Sequence, residues 1–120
     1  MAGQIAILPL ATGAGSWSTS LMKILFLGDV MGRAGRRAIT ENLPGLREAW
    51  KLDFVVVNGE NATSGMGLSG SHAKVLLDAG ADCLTLGDHA FDQKDMLSFI
   101  EQEPRIVRPL NFSKNAPGKG

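Results

Sequence analysis

The sequence predicts an α/β fold with a parallel sheet, in the order β-α-β-α-β-α-β. Three observations carry that prediction. Short apolar runs recur at Ile24–Leu27, Phe54–Val57 and Leu84–Leu86. Segments with helical spacing of apolar residues separate them. Each run stops at a glycine beside an acidic or amide residue: Gly28-Asp29, Asn58-Gly59-Glu60-Asn61 and Gly87-Asp88-His89. Strands that alternate with helices are joined by right-handed crossovers and lie parallel. Unbroken apolar runs suit strands buried on both faces.

The elements follow in order. Met1 to Leu21 carries no charged residue and reads Ala11-Thr12-Gly13-Ala14-Gly15-Ser16 in its middle. It lacks the basic leading region of a signal peptide. Residues 1–21 are therefore expected to be a disordered or mis-started leader, with Met22-Lys23 as the natural beginning. The first strand is predicted over Lys23–Leu27. Ala38, Ile39, Leu43, Leu46, Ala49 and Trp50 then recur near helical spacing, and Pro44-Gly45 is expected to break or kink that helix. A second strand is predicted over Asp53–Val57. Ser69 or Ser71 can cap a second helix that shows Ala73, Leu76, Leu77 and Ala79 on one side and ends at Gly80. A third strand over Asp82–Leu86 and a helix over Gln93–Gln102 follow. Pro104 stops the helix, Arg105–Leu110 reads as a fourth strand, and the polar residues 113–120 read as loop at a truncated end.

Composition narrows the class. A chain of 120 residues allows one small domain, here residues 22–112. Lys+Arg and Asp+Glu balance at 12 each, which gives no electrostatic case for a nucleic-acid patch or a membrane surface. No apolar run approaches the ~18 residues of a membrane span. The single cysteine, Cys83, lies in an apolar run and reads as a buried, inert thiol. A reducing, cytoplasmic setting is expected.

The chemistry gathers at the strand ends. In a parallel sheet the carboxyl ends share one edge, where open α/β sheets bind ligands. Asp29, Glu60, Asn61, Asp88 and His89 are therefore expected to converge. Carboxylate and amide oxygens suit hard or borderline cations, and an imidazole carries a proton near neutral pH. The competing reading of each residue is ordinary: a helix cap for Asp29, loop hydrogen bonding for Glu60 and Asn61, a structural histidine for His89. Arg33 and Arg36 are candidates to grip a substrate phosphate, although a solvated helix face explains them as well. His72 reads as a surface residue away from the edge. Gly65-Met66-Gly67-Leu68-Ser69-Gly70 matches the dinucleotide fingerprint, but Asn58–Ser64 separate it from the strand end, where that fingerprint needs its first glycine. Two alternatives stay open: a dinucleotide-binding module using Gly65–Gly70, and a non-catalytic α/β interaction domain.

Taken together, Gly28-Asp29-Val30-Met31-Gly32, Asn58-Gly59-Glu60-Asn61 and Leu86-Gly87-Asp88-His89 resemble the calcineurin-like metallophosphoesterases. Within them the chain is most similar to the YmdB-like bacterial branch, the 2′,3′-cyclic-nucleotide 2′-phosphodiesterases. The resemblance runs from Met22 to about Phe112. It implies half of an α/β sandwich, two divalent or transition-metal ions such as iron or manganese, and hydrolysis of phosphodiesters such as cyclic nucleotides. By position, Asp29 would bind the first metal, Glu60 would bridge both and Asn61 would bind the second. Asp88 stands where the family pattern has a metal-binding Asn, and His89 would be the general acid. Family members draw further histidine ligands from a C-terminal half. The resemblance thus implies an N-terminal portion that is inactive alone, with an uncovered strand edge and apolar face that favour association, as in a homo-oligomer.

Overall fold

The computed structural model describes the backbone of residues 2–12 and 16–120 and the side chains of residues 21–120. The elements are β1 (Ala2–Thr12), β2 (Ser16–Gly28), α1 (Gly32–Trp50), β3 (Phe54–Asn58), α2 (Gly70–Asp78), β4 (Cys83–Thr85), α3 (Met96–Gln102) and β5 (Ile106–Val107). The strands form one sheet in the order β1-β2-β3-β4-β5. From β2 to β5 all pairings are parallel, with a helix in each connection, as the apolar runs predict.

The beginning of the chain differs from expectation. Residues expected to be a disordered leader form β1 and the first part of β2, paired antiparallel, with Ala2 opposite Gly28 and Leu8 opposite Met22. Met1 and the Gly13–Gly15 stretch lie outside the described residues. The physical reason is the free edge of β2. An edge strand presents a row of unpaired N–H and C=O groups, and β1 takes up that row.

The strand order explains where the core sits. Right-handed crossovers that advance across a sheet in one direction place every helix on the same face. Leu25, Leu27, Val55, Val57, Leu84 and Ile106 are buried on that face with Ile39, Leu43, Leu76, Leu77, Met96 and Ile100. Among the described residues no helix covers the opposite face. Phe26 is 41% exposed and Phe54 39%, and Ile24, Val56, Cys83, Thr85 and Val107 are half-buried. The expectation of burial on both faces is corrected accordingly, as is that of a buried Cys83. Burial and the Asp82 charge still push the Cys83 thiol above its ordinary pKa, which keeps it protonated.

Local differences have local causes. Pro44 sits inside α1, which continues to Trp50 without a break. Pro44 is exposed, so water can reach a carbonyl left without its helical partner, while buried Ile39 and Leu43 hold the helix against the sheet. α3 begins at Met96 rather than Gln93. The preceding side chains are used elsewhere: Gln93 donates to Met66 O and Asp95 accepts from Gly70 N. β5 stops at Val107 rather than Leu110 because Arg108 turns inward and donates to Pro109 O at 3.0 Å and Pro117 O at 3.1 Å. The loop expected over residues 113–120 consists mostly of turns and bends, but Lys119 forms an isolated parallel bridge with Val107.

Candidate active site

The ends of β2, β3 and β4 are fastened to one another by backbone bonds. Gly59 N donates to Thr85 O at 3.0 Å, Val30 N to Asn58 O at 3.2 Å, and Gly32 N to Asn61 O at 3.0 Å. Val30 is fully buried, which anchors the turn that carries Asp29. Asn61 Nδ2 lies 3.0 Å from both Asp29 carboxylate oxygens. Glu60 reaches across to β4, where Gly87 makes room for it: a Cβ at position 87 would sit on the Glu60 carboxylate itself. Glu60 Oε2 is buried and has no hydrogen-bond partner. A buried carboxylate oxygen without a partner is costly, and its presence calls for a partner that the polypeptide does not supply.

His89 and Asp88 complete the edge. His89 Nδ1 is 2.6 Å from Asp92 Oδ2, and Nε2 is 3.9 Å from Asp88 Oδ2. The hydrogen bond to Asp92 is the main cause that raises the imidazole pKa above its ordinary value, and the charges of Asp88 and Glu60 add to it. Asp88 itself is open to solvent, with its side chain 88% exposed. The expected convergence of Asp29, Glu60, Asn61, Asp88 and His89 on one edge is thus present at the level of the strand ends. The side chains interact as an Asp29–Asn61 pair and an Asp88–His89–Asp92 group, with Glu60 lying against Gly87. Among the described residues, no three His, Cys, Asp or Glu side chains gather closely enough to hold an ion by themselves.

The donor chemistry fits a hard or borderline cation. Glu60 Oε2 lacks a partner, and among the described residues the Asp29 side chain meets only an amide. The orientation of an Asn amide is assigned from its hydrogen bonds, and a half-turn of Asn61 presents Oδ1 in place of Nδ2.

The remaining candidates are placed as follows. Arg36 donates to Ala62 O, so it staples the loop after β3. Arg33 is exposed and makes no hydrogen bond to the described residues. His72 is half-buried rather than on the surface, with Nδ1 2.8 Å from Thr63 Oγ1, and burial together with nearby Arg36 lowers its pKa. The helix start after the Gly65–Gly70 loop is already capped by side chains. Gly70 N is taken by Asp95 at 2.8 Å and His72 N by Ser69 Oγ at 3.3 Å. The dinucleotide reading loses its physical basis there. Sequence reasoning missed Asp92. The only signal was an acid three residues after a histidine, a spacing that brings the two together in a tight turn such as the one closed by Asp92 N and His89 O.

An α/β sheet that gathers acids, an amide and a carboxylate-bound imidazole at its carboxyl edge has counterparts among known proteins. The family profile described as YmdB-like protein matches residues 25–120. The chain is 44% identical over 99 residues to a 2′,3′-cyclic-nucleotide 2′-phosphodiesterase of Bacillus subtilis strain 168, covering 82% of this chain and 38% of that protein. It is 40% identical over 94 residues to a putative phosphatase/phosphodiesterase of Mycoplasma genitalium, covering 78% of this chain and 34% of that one. Two crystal structures share the fold. One is a hypothetical protein from Thermus thermophilus, with TM-score 0.77 and 44% identity over 82% of this chain and 38% of that one. The other is a phosphatase from Mycoplasma pneumoniae, with TM-score 0.75 and 42% identity over 82% of this chain and 37% of that one. The protein belongs to the YmdB-like family, a family of hydrolases whose named members are phosphodiesterases and phosphatases. It spans less than two fifths of the length of these relatives. Among the described residues no helix is long and apolar enough to cross a membrane.

Proposed function

We propose that this chain carries the acidic part of a metal-dependent phosphodiesterase site that hydrolyses phosphodiesters such as 2′,3′-cyclic nucleotides. The observation that carries the reading is Glu60 Oε2, a buried carboxylate oxygen without a partner at the edge where Asp29, Asn61 and Asp88 also stand. In this reading Asp29, Glu60, Asn61 and Asp88 hold two divalent or transition-metal ions, iron or manganese, and oxygen donors suit manganese in particular. When bound, such ions polarise a phosphoryl oxygen and lower the pKa of water.

The chain's own residues do the rest. Asp92 holds Nδ1–H of His89, so the proton that leaves is the one on Nε2, the nitrogen on the side of Asp88. The raised pKa keeps that imidazole protonated closer to neutral pH, as a general acid for the leaving oxygen requires. Once His89 serves as acid, the donor set contains no imidazole ligand. The reading assigns the missing ligands to a C-terminal half like that of the longer relatives, and it expects the 120-residue chain alone to turn over at background. A cytoplasmic setting, motivated by the single free cysteine, belongs to the same proposal.

Manganese titration of wild type and Glu60→Gln tests the reading. The variant is expected to bind at least about tenfold more weakly, since loss of even a supporting residue costs that much, while its circular dichroism stays unchanged. Equal binding by the two proteins removes Glu60 from the site. Association has its own supporting observation, the open face around Ile24, Phe26, Phe54 and Val56. Exposed apolar faces of this kind pair with other protein surfaces. Sedimentation velocity on wild type and Phe54→Lys checks it, and a strictly monomeric wild type removes the homo-oligomer from the proposal.

A further inference from the structure

Beside Asp29 the surface changes character. A cavity of about 360 Å³ opens between the turn after β2 and the first turns of α1, lined by Asp29, Met31, Ala34, Gly35 and Ala38. Its volume lies within the usual range of small-molecule sites, and its wall is apolar except for one carboxylate at the end nearest the strand edge. Met31 on this wall is 54% exposed. Across the Gly65 turn stands Met66, 59% exposed. Met31 packs against the turn that leads into Met66: a Cβ at Gly65 would lie 3.2 Å from Met31 Sδ. Neither segment is loose. Met66 O accepts from Gln93 Nε2 at 2.6 Å, and Gly65 N donates to Asn61 O at 3.0 Å.

One exposed thioether on the cavity wall and a second on the neighbouring turn are more than scattered surface methionines. Sulfur is polarisable and makes favourable contacts with aromatic rings, and the side chain adapts to ring shape. The lining contains no cation, so it does not suit a second phosphate. We infer that Met31 and Met66 form a shelf that receives the base of a nucleotide whose phosphate lies at the Asp29–Glu60–Asn61 edge. The inference rests on the phosphoesterase reading and adds to it the part of the substrate that is recognised. It makes Met31 and Met66 determinants of specificity.

The test uses the full chain with its methionine methyl groups labelled with carbon-13, in magnesium. Adenosine 5′-monophosphate is expected to move the Met31 and Met66 signals upfield through its ring current and to leave the fully buried Met96 in place. Ribose 5-phosphate, which has the phosphate and sugar but no base, is expected to leave all of them in place. The double variant Met31→Ala with Met66→Ala is expected to bind adenosine 5′-monophosphate about tenfold more weakly, from two sulfur–ring contacts, and ribose 5-phosphate unchanged. Both residues are exposed, so the amide spectrum should show the variant folded. Equal responses to the two ligands, silent Met31 and Met66 signals, or equal loss of both ligands in the variant overturn the shelf. A separate addition of manganese reads the other proposal. Broadening at Asn61 and Gly87 with silent methionines sinks the shelf alone, whereas no broadening at those residues sinks the phosphoesterase reading and the shelf with it.

Discussion

The two ends of the sheet treat their acidic residues in opposite ways. At the amino ends each acid has a partner. Asp53, before β3, accepts from Lys23 N at 2.7 Å. Asp82, before β4, accepts from Val55 N at 2.8 Å and from Arg47 Nη1 at 2.6 Å. Glu103, before β5, is gripped by Arg105 through two nitrogens at 2.8 and 2.7 Å. At the carboxyl ends, among the described residues, neither Asp29, Glu60 nor Asp88 has a Lys or Arg within ion-pair distance. The same residue type therefore does two jobs. Paired acids close the strand starts and contribute stability, while acids without cations leave negative charge available at the strand ends. In the proposed metal site, that unmatched charge is what would meet a cation.

The contrast can be broken most severely at His89. In a version extended to the length of the relatives, His89→Ala should lower phosphodiester turnover by ~10²–10⁴-fold while metal content holds. An ester with a very good leaving group should be hurt less. Equal losses on good and poor leaving groups would count against the general-acid role.

A smaller effect is expected at the opposite end. Asp82→Ala removes the partner of Arg47 and of the Val55 amide and should cost about 1–3 kcal/mol in urea unfolding, with manganese binding intact. Glu60→Gln should show the reverse pattern, binding lost and stability kept. If Asp82→Ala and Glu60→Gln destabilise equally, the division between the two ends does not exist.

The finest probe is pH, applied to chelator-treated protein. Asp92 raises the pKa of His89, so their pair stabilises the fold fully below the ordinary imidazole value near 6.5 and loses that contribution as pH rises through the raised value. Burial lowers the pKa of His72, so its contribution is complete above 6.5 and is lost as pH falls through the lowered value. Melting curves of wild type, Asp92→Asn and His72→Gln against pH should therefore separate at opposite ends of the scale. Parallel pH profiles for the two variants would contradict the signs.

Much of this was legible in the residues. The β2, β3 and β4 ends could be read because an apolar run that stops at a glycine and an acid is a local pattern, and parallel pairing then places the ends together without further information. The open sheet face was only half legible. Ile24, Phe26, Phe54 and Val56 read as core residues by type, and only the one-directional strand order shows that no helix among the described residues covers them. β1 was not legible as a strand: Ile5–Leu10 is a short apolar patch, but its pairing with β2 depends on a free edge elsewhere. Asp92 was hidden for a similar reason: its role depends on a turn between His89 and Asp92 that no propensity signals.

Gly87 bears on how this protein tolerates change. The first atom of any side chain there would occupy the space of the Glu60 carboxylate. In a saturation library scored by manganese binding, alanine at position 87 should already displace the Glu60 carboxylate, while the fold stands because that flexible side chain can swing aside. Gly32 offers the contrast. It has open space around it and a φ of +54°, so its cost is conformational, and asparagine or aspartate should rank above the β-branched residues. A lineage can wander at Gly32 by small steps, whereas at Gly87 even the smallest step moves Glu60.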